Sequence, residues 1–270
     1  MPPSSLAATK AEPGLAPPIR SLERGLEVLR AFRPGSATLG NGDIAERTGL
    51  SKSTVSRLTQ TLVRAGMLQL DPAQRAYRLA PAVLSFAHAM RTGSQVLAVA
   101  APAMRALAES ARINVGLAAA DRDEMVYLES IRYSRRVALR TVVSGQRVPM
   151  ELTSLGHAWL ATAGDARRRA LFALFRKRRG AQWPALAAAI QDAMRSVEAD
   201  GWCAASWQPE VVAVATPIAT VEATYVLNVS VSTDEPFDTT VGRLVAPLLA
   251  LAQTVQQALT AEDGATPGGR

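Results

Sequence analysis

The chain has few of the residues from which disulfides and metal sites are made. Its 270 residues include one cysteine, Cys203, and two histidines, His88 and His157, which lie far apart in the sequence. One cysteine excludes a disulfide within the chain, and a cysteine-based zinc site needs several thiolates. We therefore predict no metal site and no cofactor, and we interpret Cys203 as a small packed side chain rather than a nucleophile.

Uninterrupted hydrophobic runs are also missing. Although 48% of the residues are hydrophobic, polar or charged residues break the longest apolar stretches before they reach the ~20 residues that cross a membrane. Residues 1–18 are rich in Pro, Ala and Ser and lack the apolar segment of a signal peptide. These features predict a disordered tail at 1–18 and a cytoplasmic protein without membrane contacts.

Negative charge is scarce near the amino end. Residues 20–94 contain 11 Lys and Arg against 5 Asp and Glu, whereas residues 95–270 contain 18 against 17. Almost all of the net charge of +7 therefore lies in the first of these segments. Such a local excess of positive charge indicates a polyanionic partner. A basic segment that only keeps the protein soluble is the alternative.

A candidate recognition helix lies inside this basic segment, at residues 51–65. Ser51 is a typical N-cap, and the short predicted helix at 43–48 with a turn at Gly49 precedes it, which is the helix-turn-helix pattern. Apolar residues recur at spacings of three and four and so share one face: Val55, Leu58, Leu62 and Ala65. An ordinary amphipathic surface helix is the alternative.

Two short predicted strands, 67–70 and 76–79, follow this helix and together form a wing. The candidate DNA contacts are polar residues of the helix and the wing: Lys52, Ser53, Thr54, Ser56, Arg57, Gln60, Arg75 and Tyr77. The first turn of a helix favours a phosphate, because its backbone N–H groups are free. Arg57 points outwards one turn later and is the best candidate for a guanine contact.

The second half of the chain predicts an α+β domain with an antiparallel sheet. A linking helix at 81–91 leads to a domain boundary near residue 93, and the next helix, 95–111, restarts or kinks at Pro102. The remaining predicted elements are strands at 114–120, 124–130, 137–143, 211–216 and 225–232, and helices at 153–163, 165–175, 184–200 and 239–261. Residues 176–179, RKRR, are either a solvated loop or helix end, or a second DNA contact.

Several stretches resemble the IclR family of bacterial transcriptional regulators. The matching segments of the first half are SLERGLEVLRAF, IAERTGLSKSTVSRLTQTLVRAGML and YRLAPAVLSFA, and those of the second half are VYLESI, SGQRVPMELTSLGHAWLA, ADGW, VAVATPI and LNVSVS. The resemblance implies a winged helix-turn-helix domain at 19–80, a linker helix at 81–93, a GAF-like effector-binding domain at 94–262 and a tail at 263–270. It also implies a homodimer or dimer of dimers on a double-stranded DNA operator.

The same resemblance implies an effector site for a small carboxylate at the start of the helix near 153, where backbone N–H groups attract anions. The predicted effector-binding residues are Leu155, Gly156, Ser206, Trp207, Ala213, Asn228, Ser230 and Ser232. Many family members have Lys where His157 stands here, and a small residue at 213 with Trp207 favours a roomier, more apolar pocket. We therefore expect an aromatic or otherwise larger acid.

Two other functions compete with a ligand-responsive regulator. An enzyme is disfavoured because the sequence has no nucleophile elbow, no phosphate-binding glycine loop and no metal-ligand cluster. An architectural DNA binder without an effector is disfavoured because the large, nearly neutral second half would add nothing to backbone binding.

Overall fold

The computed structural model describes residues 17–133 and 143–265. The chain forms two compact units, Met1–Arg91 and Thr92–Arg270. Most of the predicted tail at 1–18 and nearly all of the predicted strand at 137–143 lie outside the described residues. Val143, the last residue of that prediction, is not in a strand.

The first unit is a winged helix. Its elements in chain order are α1 (Arg20–Arg30), β1 (Leu39–Gly40), α2 (Asn41–Thr48), α3 (Lys52–Arg64), β2 (Leu68–Asp71), β3 (Ala76–Leu79) and α4 (Ala82–Thr92). The three strands form an antiparallel sheet in the order β1-β3-β2. The sequence did not predict β1, because a strand of two residues has no periodicity to detect.

The helices of this unit pack on one small core. Val28, Ile44, Val55 and Leu68 are buried together, one from each of α1, α2, α3 and β2. Gly49 ends α2 with a φ of 70°, as the predicted turn requires. At the wing, the Asp71 carboxylate accepts hydrogen bonds from two backbone N–H groups and so fixes the turn between β2 and β3.

The second unit is an α+β domain, as predicted. Its elements are α5 (Gln95–Ala111), β4 (Asn114–Asp121), β5 (Glu124–Ile131), β6 (Arg147–Pro149), α6 (Ser154–Thr162), α7 (Asp165–Arg179), α8 (Trp183–Asp200), β7 (Cys203–Ala205), β8 (Val211–Ala219), β9 (Thr224–Ser232) and α9 (Phe237–Ala265). The helix α5 continues through Pro102 rather than restarting there. The predicted tail at 263–270 begins inside α9.

A six-stranded antiparallel sheet in the order β6-β5-β4-β9-β8-β7 organises this unit. One face packs on α5 and α9, with Met104, Leu248 and Leu227 in the same buried cluster. The other face packs on α6 and α8, where Leu155 and Ile190 belong to a second cluster. The sheet is therefore covered on both faces, and its two cores are separate.

One helix departs from the expectation that no stretch is long and apolar enough to span a membrane. By length and composition, Phe237–Ala261 of α9 would suffice. However, Leu244, Leu248 and Val255 are buried against the sheet and α5. This burial identifies α9 as a core helix of the second unit.

Candidate functional site

The amino end of α3 is organised by Ser51. Its Oγ accepts a hydrogen bond from the backbone N–H of Thr54 at 3.3 Å, which confirms the predicted N-cap. The same oxygen lies 3.1 Å from Ser53 Oγ and 2.9 Å from Thr54 Oγ1. Three hydroxyl groups are thus held together at the positive end of the helix dipole, where an anion is favoured.

The outer face of α3 presents cations and an amide. Lys52, Ser53, Arg57 and Gln60 are exposed, whereas Ser56 and Thr54 are half-buried. On the inner face, Val55 is fully buried, and the buried Thr59 hydroxyl donates a hydrogen bond to Val55 O at 3.0 Å. The predicted apolar face is therefore confirmed at Val55, while Leu58 and Leu62 are only half-buried. The prediction is wrong at Ala65, which is exposed at the helix end.

Of the two wing residues that were predicted to contact DNA, one lies on the surface and one is buried. Arg75 is exposed at the turn with a φ of 49°. Tyr77, by contrast, is only 8% exposed and packs in the core with Val28 and Ile44. The predicted phosphate contact at Tyr77 is therefore corrected to a core residue, because the first half of β3 is buried while Arg78 and Leu79 in its second half are exposed.

In the second unit, a row of small and polar residues crosses the sheet on the face covered by α6. The strand register places five residues side by side from β5 to β7: Ser130, Gly116, Asn228, Ala215 and Cys203. Asn228 is 4% exposed. Its Oδ1 has no hydrogen-bond partner among the residues that the structure describes.

The next row on the same face consists of Asn114, Ser230, Ala213 and Ala205. Asn114 is buried and structural, since its Nδ2 donates to Ser230 O at 3.2 Å and its Oδ1 accepts from Tyr133 N at 3.1 Å. Because residues 213 and 205 are both alanine, this part of the sheet face carries no large side chain.

Tyr127 and Arg132 border the central row. The Arg132 guanidinium lies 5.6 Å from the centroid of the Tyr127 ring, and its Nε donates to Ser130 Oγ at 2.9 Å. Burial raises the pKa of Tyr127, against smaller lowering effects of Arg132 and of hydrogen bonds from Arg132 and Asn228. A positive charge thus lies beside the buried polar row.

The start of α6 is held against the preceding segment. Thr153 caps the helix by accepting a hydrogen bond from Gly156 N at 3.3 Å, and its own hydroxyl donates to Pro149 O at 2.9 Å. A Cβ on Gly156 would lie 1.9 Å from Met150 O. Only glycine permits this close approach of the two backbones, and the contact fixes where α6 begins.

His157 lies in the first turn of α6 and is 5% exposed. Its Nε2 lies 3.1 Å from the carbonyl oxygen of Glu151, which can only accept, so Nε2 carries the proton. Burial lowers the pKa of His157. The ring is therefore neutral, with a bare lone pair on Nδ1, an atom without a partner within the described residues.

The RKRR run ends α7 and is partly committed to ion pairs. The Glu151 carboxylate, fully buried, accepts from Arg179 Nη2 at 2.7 Å and from Arg178 Nη1 at 3.3 Å, and Arg178 also pairs with Asp123. Arg176 and Lys177 are exposed. The run is therefore the end of a helix. Two of its four residues, Arg178 and Arg179, bind Glu151 in the segment that precedes α6.

Cys203 is buried beside α6, where its thiol donates to Ser154 O at 3.4 Å. Burial raises the pKa of this thiol to about 12. Such a thiol stays protonated, which agrees with its interpretation as a packed residue.

Comparison with known families assigns both units. Residues 21–72 match the model of the IclR helix-turn-helix domain, and residues 88–257 match that of the bacterial transcriptional regulator IclR C-terminal domain. The chain belongs to the IclR family of bacterial transcriptional regulators. Both family models describe regulators rather than enzymes.

Individual relatives agree with this assignment. The chain is 36% identical over 168 residues to the HTH-type transcriptional regulator TsaQ1/TsaQ2 of Comamonas testosteroni, which is 61% of this chain and 59% of that protein. The chain thus spans less than two thirds of that relative's length. An IclR family regulator from Brucella abortus is 33% identical, with a TM-score of 0.79 over 89% of this chain and 92% of that one.

A third neighbour shares the fold at lower identity. This IclR homologue from Microbacterium hydrocarbonoxydans, complexed with 4-hydroxybenzoate, is 24% identical, with a TM-score of 0.68 over 89% of this chain and 99% of that one.

The structure groups some of the predicted effector residues and not others. In this IclR-family chain Ala213, Asn228 and Ser230 share one face of the sheet, and α6 packs on that face with Leu155 and Gly156 at its start. Ser206 and Trp207 lie in the exposed loop after β7, with Trp207 37% exposed. Ser232 lies at the strand end, beside a polar cleft of about 270 Å³.

Sequence reasoning missed Gly116, Tyr127 and Arg132. The glycine carried a usable signal, because glycine inside a strand often marks a close approach of another group. Here a Cβ at 116 would lie 2.5 Å from Asn228 Oδ1 and 2.5 Å from the Tyr127 ring. Tyr127 and Arg132 carried no such signal, since both read as ordinary strand and strand-end residues.

Proposed function

We propose that this protein is a ligand-responsive DNA-binding regulator of transcription that acts in the bacterial cytoplasm. The observation that carries the proposal is the outer face of α3, where Lys52, Ser53 and Arg57 are exposed at the start of a helix-turn-helix. Phosphates would bind the free N–H groups and Lys52, and Arg57 would read a base edge in the major groove.

A mobility-shift titration of the full chain against duplex fragments from its own promoter region tests this function. We expect binding that weakens steeply as salt rises, because counterions are released from neutralised phosphates. A complex whose affinity does not respond to any small acid would favour the architectural binder instead. Chemical turnover of such an acid would favour the enzyme.

The effector that we propose is an aromatic or otherwise larger carboxylic acid bound on the sheet face beneath α6. The buried polar groups Asn228 and Ser230 lie there next to the small residues Gly116 and Ala213. A neighbour of the same fold is complexed with an acid of this kind, 4-hydroxybenzoate. Pockets of this type combine apolar walls with a few polar groups that fix orientation.

Calorimetry with a panel of acids tests the effector class. Benzoate and its substituted forms are expected to bind more tightly than pyruvate or glyoxylate. Tight binding of glyoxylate or pyruvate alone would contradict the proposal.

The partner that we propose for the first unit is a second copy of the chain. No side chain of α4 is buried in the described structure of this unit, although Leu84, Phe86 and Met90 are large and apolar. Ile19 and Leu22 at the start of α1 are exposed as well. Burial of such surfaces in a dimer, or a dimer of dimers, would set the spacing of two recognition helices.

Effector and operator binding would communicate through the arrangement of that dimer. A ligand shifts a conformational equilibrium only if it binds one arrangement better than the other. The linker helix α4 is the last element of the first unit and leads into the second, and it is the proposed transmitter.

A further inference from the structure

The nearly neutral total charge of the second unit conceals one strongly basic helix. Residues 95–270 contain 18 Lys and Arg and 17 Asp and Glu. Seven of these cations, but only one of these acids, Asp165, lie in the 15 residues of α7. The remainder of this segment is therefore acidic, and positive charge is concentrated on α7. A local concentration of this kind indicates a polyanionic partner.

Contacts within the unit use only some of these cations. Four of the seven are held by ion pairs or by a backbone oxygen: Arg167, Arg168, Arg178 and Arg179. The other three are Arg169, Arg176 and Lys177, which are exposed. Their side chains form no ion pair or hydrogen bond with any residue that the structure describes. Among the described residues, three charges of α7 are thus left for an external counterion.

The stability of α7 itself accounts for only part of this charge. Arg176 and Lys177 lie in the last turn, where the negative end of the helix dipole favours cations. Arg169 lies outside the last turn, so the dipole gives it no such role. The nearby Asp165 carboxylate pairs with Arg168 instead. The charge of Arg169 therefore has no explanation within the helix.

The three remaining cations lie close together on α7. Arg169 and Arg176 are seven residues apart, close to two helical turns, so they lie on one side of the helix about 10 Å apart along its axis. The exposed Ala173 lies between them, and Lys177 follows Arg176 directly. A small residue at position 173 leaves both arginines accessible. We call Arg169, Arg176 and Lys177 the α7 basic surface.

The apolar residues of α7 show which partner this surface fits. None of the large ones is exposed: Leu171, Phe172, Leu174 and Phe175. A protein partner is typically anchored by large aromatic or apolar side chains, and a membrane takes up an apolar helix face. Phosphates require only cations. The α7 basic surface therefore fits the backbone of a nucleic acid.

We propose that the α7 basic surface is a second DNA contact, which binds phosphates of the duplex on either side of the bases that α3 reads. Such contacts carry no sequence information and add affinity through the release of counterions. The inference rests on the proposed DNA binding by α3, because a contact without sequence preference needs another element to place it on the operator.

Mobility-shift titrations of the full chain across a range of salt concentrations test the proposal. One duplex is the shortest promoter fragment that the chain still prefers to unrelated DNA, and the other extends it by flanking sequence on both sides. Each phosphate contact contributes about 0.9 to the slope of log affinity against log salt. In Arg169→Gln/Arg176→Gln/Lys177→Gln we expect the slope on the extended duplex to fall in magnitude by about 2–3, and the affinity at low salt to fall at least about tenfold. Binding to the shortest fragment should change little.

Two further variants make the comparison specific. Arg105→Gln/Arg112→Gln/Arg243→Gln removes three exposed positive charges from α5, its C-cap and α9, which cover the opposite face of the sheet. It should leave the slope within about 0.5 of the unmodified value. Arg169→Lys/Arg176→Lys keeps both charges and should keep the affinity, because a phosphate contact of this kind requires a cation rather than a guanidinium group.

The possible results separate this inference from the proposed function. An unchanged slope on the extended duplex in the glutamine variant of α7 overturns the inference alone. An equal loss in the control triple variant also overturns it, because total charge rather than α7 would then matter. Lost regulation in cells with unchanged DNA affinity would identify an acidic protein as the partner and overturns it as well. Failure of the unmodified protein to bind any promoter fragment overturns both the inference and the proposed function.

Discussion

At the scale of single residues, Gly156 occupies a position with no room for a side chain. Its missing side chain lets the start of α6 touch Met150. We predict that Gly156→Ala destabilises the protein by about 1–3 kcal/mol or more, because the added methyl group forces the two backbones apart. Binding of aromatic acids should weaken as well, since the helix start moves.

The matched control for this prediction is Gly164→Ala. Gly164 precedes α7, and nothing lies within 4 Å of a Cβ at that position. Its effect on stability should stay within about 0.5 kcal/mol. Thermal denaturation of both variants checks the difference, and equal melting temperatures would show that the close approach to Met150 does not matter.

A second residue-scale prediction concerns pH and His157. Burial holds the pKa of this histidine below 6.5 in the folded chain, so the unfolded chain takes up the proton first as pH falls. Its contribution to stability is therefore present at neutral pH and is lost below pH 6.5, by at most about 1.4 kcal/mol per pH unit. Melting temperatures between pH 7.5 and 5.5 should fall more steeply in the unmodified protein than in His157→Gln. Parallel curves would refute this assignment.

Arg57 is the residue on which sequence preference is expected to depend. We predict that Arg57→Ala weakens operator binding by about 1–3 kcal/mol and relaxes base preference. Arg64→Ala removes an exposed charge from the last turn of the same helix and is the control for general electrostatics. A titration against the operator and against operators with single base changes measures both effects. An unchanged base preference in Arg57→Ala would show that another residue reads the operator.

At the scale of elements, the Glu151 network ties α7 to the segment that leads into α6. Glu151→Gln removes the buried charge that Arg178 and Arg179 share and should cost about 1–3 kcal/mol of folding free energy. The comparison is Asp192→Asn, which breaks an exposed ion pair with Arg195 within α8. That change should cost less than about 0.5 kcal/mol, because water screens the pair. Equal losses in denaturant unfolding would contradict a special role of Glu151.

Local patterns were sufficient for the elements that local chemistry determines. The N-cap at Ser51, the turn at Gly49 and the spacing of Val55 were enough to predict α3 from the sequence. Strands β6 and β7, with three residues each, are too short to show alternation. The extra turn of α7 beyond Phe175 was also missed, because its arginines are stabilised by the distant Glu151 rather than by their neighbours.

The effector face could be predicted only in part, for a related reason. Leu155 and Gly156 came from one contiguous segment that resembles the family. Asn228 meets Gly116 and Tyr127 only through strand register, which pairs residues far apart in the chain. Tyr77 failed as a predicted DNA contact because its burial depends on the packing of β3 against α1 and α2.

At the scale of the whole molecule, the exposed apolar residues of α4 predict self-association. Phe86 is 61% exposed. Phe86→Glu should shift the protein towards monomers and weaken binding to a two-half-site operator, since a charge opposes burial of this face. Analytical ultracentrifugation checks the first effect. Ser85→Glu, an exposed neighbour on the same helix, controls for added charge. Unchanged sedimentation of Phe86→Glu would place the dimer surface elsewhere.

The most direct measurement is the affinity of the purified chain for duplex DNA from its own promoter region, titrated over a fourfold range of salt from about 50 to 200 mM. We predict an affinity that falls steeply with salt and that changes when an aromatic acid is added. No salt-sensitive binding to any fragment of that region would contradict it.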